Sequence, residues 1–351
     1  MTGTSQTPPL NVDGKRVLVT GGTGSLGRRV VRRLLEGAVG RPQHVVVLSR
    51  DEAKQHDMRL QFQQQQAATD EVIYRNFREL LRFRIGDVRH YPTVLEAVAD
   101  ADIVVHAAAL KQVPTCEYFP MEAVRTNVLG ADALVRAVRT SGRHVEAVVG
   151  ISTDKACKPV NVMGMTKALM ERVLVEANIG SSGTRFVGVR YGNVIASRGS
   201  VVPLFRYQIE QGGPVTVTLP EMTRFLLTLD RAVDTVFAAL GGARPGEIYV
   251  PRVPAARVVD LAVALIGDRD IPITFTGIRP GEKVHEIMVS EEECYRTIAR
   301  GDYYVICPML PECGTEMEGA PALTAEYSSA DVTLDRAGLL ELVDSMSGTP
   351  V

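Results

Sequence analysis

From Arg16 onward, short runs of β-branched and aliphatic residues alternate with longer stretches whose apolar positions recur at helical spacing. Residues 16–20, 44–49, 83–86, 102–106, 145–152 and 185–190 read as strands. Between them, residues 25–36, 92–99, 120–141 and 161–177 read as helices, so the chain predicts βαβ units and an α/β fold with a doubly wound parallel sheet. The Gln-rich stretch 61–66 reads as part of an exposed helix. After Tyr191 the alternation breaks up, and Gly/Pro-rich turns at 212–214, 241–246 and 279–281 separate short segments. That pattern predicts a smaller lobe capping the sheet. Residues 301–330 mix Pro, Cys, Met and Gly without a clear period and are expected to wrap over the body.

Composition narrows the classes of function. The 351 residues are enough for about two domains, and no disulfide or metal staple is needed at that size. Lys and Arg number 39 against 41 Asp and Glu, a balance of −2, which argues against a nucleic-acid or anionic-membrane binder. An aromatic content of 5% without Trp weighs against stacking platforms for single strands. No apolar run approaches the ~18 residues of a membrane span, and residues 1–14 lack the basic start and apolar core of a signal peptide. Five cysteines, odd in number and without C-x-x-C spacing, point to a reduced, cytoplasmic protein with no metal site.

The first chemistry-bearing motif is Gly21-Gly22-Thr23-Gly24-Ser25-Leu26-Gly27, which follows a strand and opens a helix. Glycines at this spacing permit a tight turn and let backbone N–H groups and a helix N-terminus meet a pyrophosphate, so the sheet is of Rossmann type and binds a dinucleotide. The second strand ends in Ser49-Arg50-Asp51, with Lys54 one helical turn on. Arg50 is suited to fork onto a 2′-phosphate and Ser49 to donate a hydroxyl, which favours NADP over NAD. Asp51 could instead rotate to a free ribose, and Arg50 could pair with Asp51 or Glu52 on the surface. Asp87 and Val88 after the third strand suit an adenine contact, and Ala107, Ala108 and Ala109 after the fourth let the backbone approach the cofactor.

The most informative stretch is Ser152-Thr153-Asp154-Lys155 at the end of the fifth strand, followed by Met163-Gly164-Met165-Thr166-Lys167 on the next helix. Here the chain resembles the extended short-chain dehydrogenase/reductases. More narrowly it is similar to bacterial UDP-N-acetylglucosamine 4,6-dehydratases of flagellin-glycan and capsule pathways. The motifs that carry this are 107–114 (AAALKQVP), 126–130 (TNVLG), 152–155 (STDK), 190–194 (RYGNV), 197–205 (SRGSVVPLF), 222–225 (MTRF) and 279–286 (RPGEKVHE).

The resemblance implies an order of events. Hydride leaves C4 of the sugar for NADP+, the resulting ketone acidifies C5–H, a base takes that proton, an acid protonates the departing C6 hydroxyl, and hydride returns to C6. It implies Lys155 as the C5 base, with a pKa lowered by burial and nearby cations, Asp154 as the C6 acid, and Thr153 as the group bound to the C4 oxygen. Met163 occupies the position where the dehydrogenase pattern has Tyr, and a thioether accepts no proton. The C4 proton then leaves through Thr153, Lys167 or a water relay. Lys167 is implied to hold the nicotinamide ribose. Lys111 and Val194 are implied as cofactor contacts, and Lys111, Asn193, Val201, Arg224, Arg279 and Glu282 as contacts to the UDP-sugar. Lys111 and Glu117 could line the sugar pocket or order their loop.

The expected division is a flexible N-terminus over 1–14, an NADP-binding Rossmann domain over 15–191, a nucleotide-sugar lobe over 192–295 with elements returning to the first domain, and an extension over 296–351 packing on the body. The resemblance also implies a homo-oligomer. Rival readings are a 4-epimerase, against which the Asp154-Lys155 pair argues, a 5,6-dehydratase, a retaining 4,6-dehydratase and, outside enzymes, an inactive NADP-binding regulator.

Overall fold

Strand β1 (Arg16–Thr20) lies third from one edge of a nine-stranded sheet in the computed structural model, which describes residues 9–63, 77–181, 183–195, 201–314, 317, 319–331 and 334–345. The other strands are β2 (His44–Ser49), β3 (Leu81–Ile85), β4 (Ile103–His106), β5 (Ala147–Ile151), β6 (Arg185–Val189), β7 (Ile248–Pro251), β8 (Thr297–Arg300) and β9 (Tyr303–Ile306). Their spatial order is β8-β9-β7-β6-β5-β4-β1-β2-β3. All neighbours from β7 to β3 are parallel, while β9 runs antiparallel to β7 and β8 antiparallel to β9. The chain winds outward in one direction through β1, β2 and β3 and in the other through β4, β5 and β6. That reversal opens a crevice at the carboxyl ends of β1 and β4, where α/β sheets bind ligands.

Two apolar layers follow from the period of two along each strand. Val17 and Val19 face a core shared with Val30, Val31 and Leu34 of α1 (Ser25–Leu35) and with Val233, Val236 and Leu240 of a helix over Leu229–Gly242. Leu18 points the other way, into a core with Val94 and Val98 of the helix Tyr91–Val98, Leu134 and Val138 of Gly130–Thr140, and Met170 and Leu174 of Val162–Glu176. Each such side chain contributes about 1.5–3 kcal/mol on burial.

The single helix expected over 120–141 is three pieces: Pro120–Ala123, a π-helical turn Val124–Leu129, and Gly130–Thr140. The wider turn brings Asn127 inward to bond the backbone of Leu110, a tertiary demand that helical periodicity does not report. Of the Gln-rich stretch, residues 61–63 end the helix Glu52–Gln63, and 64–66 lie outside the described residues.

The smaller lobe has a three-stranded sheet of Asn193–Val194, Thr223–Leu227 and Ala255–Arg257, and a pair formed by Val215–Val217 and Ile273–Phe275. Its core gathers Val202 and Phe205 of the helix Val201–Glu210, Leu261 and Leu265 of Val258–Ile266, and Leu339 of Arg336–Ser345. Within the stretch read as a flexible N-terminus, residues 1–8 lie outside the described residues, whereas Val12 is buried and its N–H donates to the Val39 carbonyl. The segment from 296 onward opens with the β8–β9 hairpin at the sheet edge, and Tyr327–Ser328 pairs with Ile287–Val289. Among the described residues no helix is long and apolar enough to cross a membrane, and no group of His, Cys, Asp and Glu could hold a metal.

Candidate functional site

The glycine loop turns from β1 into α1 beneath the loop that follows β4. Gly21 adopts a φ of +66°, and a β-carbon on it would stand 2.6 Å from the Ala108 backbone nitrogen. Gly27 is equally constrained, since its β-carbon would lie 2.5 Å from the Gly22 α-carbon. Gly24 is the N-cap of α1 and offers no side chain to the first-turn N–H groups, so these suit an anion. Ala107 and Ala108 donate their N–H groups to the Thr20 carbonyl and hydroxyl, at 3.1 and 3.4 Å. This glycine cradle fits a dinucleotide's pyrophosphate.

At the end of β2, the Thr23 and Ser49 hydroxyls meet at 2.9 Å. Asp51 accepts the Lys54 N–H at 3.0 Å, and its carboxylate lies 2.7 Å from the Lys54 ammonium, which holds it below the usual carboxylate range. Lys54 therefore turns to Asp51. Arg50 is exposed, with its guanidinium 3.9 Å from Asp87, whose carboxylate is bonded by Arg89 at 2.6 Å. Val88 is buried against Gly130. Arg28, directly after the third glycine, carried no sequence expectation; its guanidinium bonds the Thr23 carbonyl at 2.9 Å and the Lys54 carbonyl at 3.2 Å.

Beyond β5, Thr153 caps the 3-10 turn Asp154–Ala156 and donates its hydroxyl to Asp154 Oδ1 at 2.8 Å. The Lys155 ammonium lies 3.0 Å from the same oxygen, 3.2 Å from Asn193 Oδ1 and 3.1 Å from Glu286 Oε1. Gly164 lets the helix Val162–Glu176 press on this turn, because any β-carbon there would collide with the Lys155 carbonyl. Asp154 and Glu286 are both buried, and Asp154 Oδ2 and Glu286 Oε2 have no hydrogen-bond partner among the described residues.

The electrostatics of this cluster correct one expectation. Burial pulls the Lys155 pKa down, but Asp154 and Glu286 outweigh it and hold the amine above its ordinary value, as an ammonium. The lysine lowered by burial is Lys167, brought to about 8 with only a minor opposing pull from Glu171. Glu286 is the residue that sequence reasoning passed over. It closes the 279–286 motif, yet a lone Glu after Val284-His285 gives no signal that it folds back onto Lys155.

Met163 is buried with Cys116 and Ala123, beside Leu110, Val113 and Val162. Asn127 donates to the Leu110 carbonyl and to the Thr166 hydroxyl, both at 3.0 Å, which ties the loop after β4 to the helix that carries Lys167. Glu117 accepts the Val162 N–H at 2.7 Å, so it orders the start of that helix, while Lys111 stays exposed nearby. His106 is fully buried against Thr20, and burial together with Lys167 lowers it to about 3. Cys157 is raised to about 12 by burial, which keeps its thiol protonated.

Four residues expected at the nucleotide-sugar or cofactor share one cavity: Asn193, Val194, Val201 and Arg224. Arg224 is buried, donates to the Thr223 and Val284 carbonyls at 2.7 and 3.0 Å, and keeps its Nε 3.8 Å from Glu286. Residues 197–200 of the loop expected at the diphosphate lie outside the described residues. Arg279 and Glu282 stand apart from that cavity on a separate turn, where the Arg279 N–H meets Glu282 Oε2 at 3.4 Å.

The profile of a family described as "Polysaccharide biosynthesis protein" matches residues 17–308. The chain belongs to this family. A curated relative, the UDP-glucose 4-epimerase of Rickettsia conorii (strain ATCC VR-613 / Malish 7), is 45% identical over 297 residues, covering 83% of this chain and 82% of the relative. The X-ray structure of Pen from Bacillus thuringiensis matches with a TM-score of 0.85 and 33% identity, covering 96% of this chain and 99% of Pen. The dTDP-glucose 4,6-dehydratase DesIV of Streptomyces venezuelae, solved with NAD bound, shares the fold at a TM-score of 0.63 and 23% identity, covering 77% of this chain and 86% of DesIV. This member of the polysaccharide biosynthesis family is thus an extended short-chain dehydrogenase/reductase, in the branch that holds nucleotide-sugar dehydratases and epimerases.

Proposed function

We propose that the chain is a C5-inverting UDP-N-acetylglucosamine 4,6-dehydratase that works with a recycled NADP. One observation carries this reading: a buried carboxylate and an ammonium, Asp154 and Lys155, stand 3.0 Å apart at the end of β5. Loss of water across C5 and C6 needs a base and an acid on adjacent atoms, whereas C4 epimerisation needs no acid/base pair at C5 and C6. When bound, the nicotinamide supplies the oxidation at C4 and the matching reduction at C6.

The chain's own groups do the rest. Gly21, Gly24 and Gly27, with Ser25 and Leu26 in the first turn of α1, cradle the pyrophosphate. Arg50 binds the 2′-phosphate beside Ser49, and the commitment of Asp51 to Lys54 favours NADP over NAD. Thr153 binds the C4 oxygen; the proton of the Lys155 ammonium passes to Asp154 across their 3.0 Å contact, so that Asp154 protonates the departing C6 hydroxyl and the freed amine of Lys155 takes the C5 proton and later returns it, while the proton released from the C4 hydroxyl restores the pair. Arg224 and Asn193 face the diphosphate in their shared cavity.

The names of the curated relatives favour a second reading, a UDP-sugar 4-epimerase. Incubation with UDP-N-acetylglucosamine separates the two. A product lighter by one water, carrying solvent deuterium at C5, supports the dehydratase; a product of unchanged mass with inverted C4 supports the epimerase.

A further inference from the structure

A ring of hydrogen bonds closes around the end of β2. The Arg28 guanidinium donates to the Thr23 carbonyl at 2.9 Å, and the Thr23 hydroxyl meets the Ser49 hydroxyl at 2.9 Å. Ser49 Oγ accepts the Asp51 N–H at 3.3 Å, Asp51 Oδ1 accepts the Lys54 N–H at 3.0 Å, and the Lys54 carbonyl accepts from Arg28 at 3.2 Å. The ring frames the place where a Rossmann sheet meets the 2′ position of the adenosine ribose. We propose that Arg28 is a specificity-determining residue for the cofactor, which keeps Asp51 turned to Lys54 and away from the ribose and so sets the preference for NADP over NAD. The proposal rests on the NADP reading above.

A guanidinium suits this task because its donors point in several directions within one rigid plane. In Arg28, Nε takes the Thr23 carbonyl, one terminal nitrogen takes the Lys54 carbonyl, and the other takes Gln61 Oε1 at 2.6 Å. Lys54 and Gln61 stand two turns apart on the same side of the helix Glu52–Gln63, so Arg28 grips that helix along its length. The helix needs such a grip. Its buried positions are the narrow stripe Gln55, Met58 and Phe62, while its other described side chains are exposed. Gln55 hangs this stripe from the Ser49 and Arg84 carbonyls, at 3.0 and 2.9 Å, which makes a pivot at the sheet. Arg28, set to one side of the pivot, fixes the angle of the helix about it. Gln61, which opens the glutamine-rich stretch, gains a role as the far end of this brace.

The angle matters because Asp51 has two possible partners. Beside a free 2′-hydroxyl a carboxylate accepts a hydrogen bond, whereas beside a 2′-phosphate it repels the ligand. The Lys54 ammonium, 2.7 Å from Asp51, removes the carboxylate from that choice, and Lys54 is placed by the turn whose carbonyl Arg28 holds. The pyrophosphate cradle depends on other contacts, since Gly21 and Gly27 are seated against the backbone of Ala108 and Gly22. Loss of Arg28 therefore releases Asp51 and leaves the cradle standing. It changes which dinucleotide is chosen rather than whether one is held.

The test is a competition. Purified wild type, Arg28→Met and Arg28→Lys are equilibrated with an equimolar excess of NADP+ and NAD+ and freed of unbound nucleotide by gel filtration. The protein is then denatured and both dinucleotides are quantified by chromatography. Wild type should retain chiefly NADP. Arg28→Met should move the bound ratio toward NAD by about tenfold, the scale of one or two lost hydrogen bonds, with the total bound close to wild type. Arg28→Lys keeps the charge without the fork and should move the ratio the same way, which also covers a methionine variant that fails to fold. Adding Asp51→Asn to either variant should reverse most of the shift, because an amide does not repel a phosphate. An unchanged ratio in either variant, an equal loss of both dinucleotides, or a shift that survives Asp51→Asn overturns the role of Arg28 and leaves the NADP reading intact. A wild type that retains NAD as readily as NADP overturns that reading, and the role with it.

Discussion

The Lys167 ammonium ends against the Met170 sulfur at 2.9 Å, one turn along the same helix, with no carboxylate among the described residues in contact. A thioether is a weak acceptor, so the buried charge is poorly compensated and the pKa falls from 10.5 to about 8. In the unfolded chain the amine binds its proton up to the ordinary value, so the folded state carries a penalty that is full below about pH 8 and relieved as pH climbs toward 10.5. Lys167→Met should therefore unfold at higher denaturant than wild type at pH 7, by up to about 3 kcal/mol, with the difference shrinking above pH 8. The same variant should lose activity, because the cation proposed to hold the nicotinamide ribose is gone. A variant less stable than wild type at pH 7 would contradict this account.

Gly21→Ala tests the cradle. The substitution forces a side chain onto a left-handed backbone and drives its β-carbon to within 2.6 Å of the Ala108 backbone, so the turn or the loop after β4 has to shift. Cofactor affinity, measured by fluorescence titration with NADPH, should weaken by at least about tenfold, equivalent to ~1.4 kcal/mol. Unaltered affinity would show that the pyrophosphate does not rest on this loop.

Much of this architecture is legible in the chain because its signals are local. β1 and β2 coincide with runs such as Val17-Leu18-Val19 and Val45-Val46-Val47, and the glycine loop announces itself by spacing alone. What stays hidden depends on contacts distant in sequence. Glu286 meets Lys155 only because Ser329 and Thr223 fix its backbone, and the π turn at Asn127 exists to reach Leu110. The pKa expectation for Lys155 erred for the same reason: burial is readable from a strand end, but the second carboxylate is not.

Arg190 forms a buried fork, with bonds of 2.7 Å to both Glu171 and Glu293 and a third to the Met288 carbonyl at 2.8 Å. It pins the helix that bears Lys167 to the C-terminal segment that follows Glu286. Arg190→Met leaves two buried carboxylates without their cation, which costs about 3–5 kcal/mol. The cost should ease at low pH, because Glu293, held at about 2 in the intact protein despite its burial, is freed to take up a proton. Urea unfolding at pH 7 and pH 5 checks both effects; an equal loss at the two values would mean that packing rather than charge carries the destabilisation.

Met163 decides whether the missing phenol matters. Its side chain is 5% exposed and packs on Cys116 and Ala123, so it belongs to an apolar patch rather than to the proton path. Met163→Leu conserves volume and should cost under about 1.5 kcal/mol while leaving kcat within about threefold of wild type. Met163→Tyr inserts a larger ring into the same patch and buries a hydroxyl there, so it should cost about 1–3 kcal/mol without raising kcat. Paired measurements of kcat and Tm on both variants separate the outcomes. A tyrosine variant with normal Tm and a tenfold faster C4 oxidation would show that position 163 does reach the C4 hydroxyl, and that the route through Thr153, Lys167 or a water relay carries its proton less well than a phenolate would.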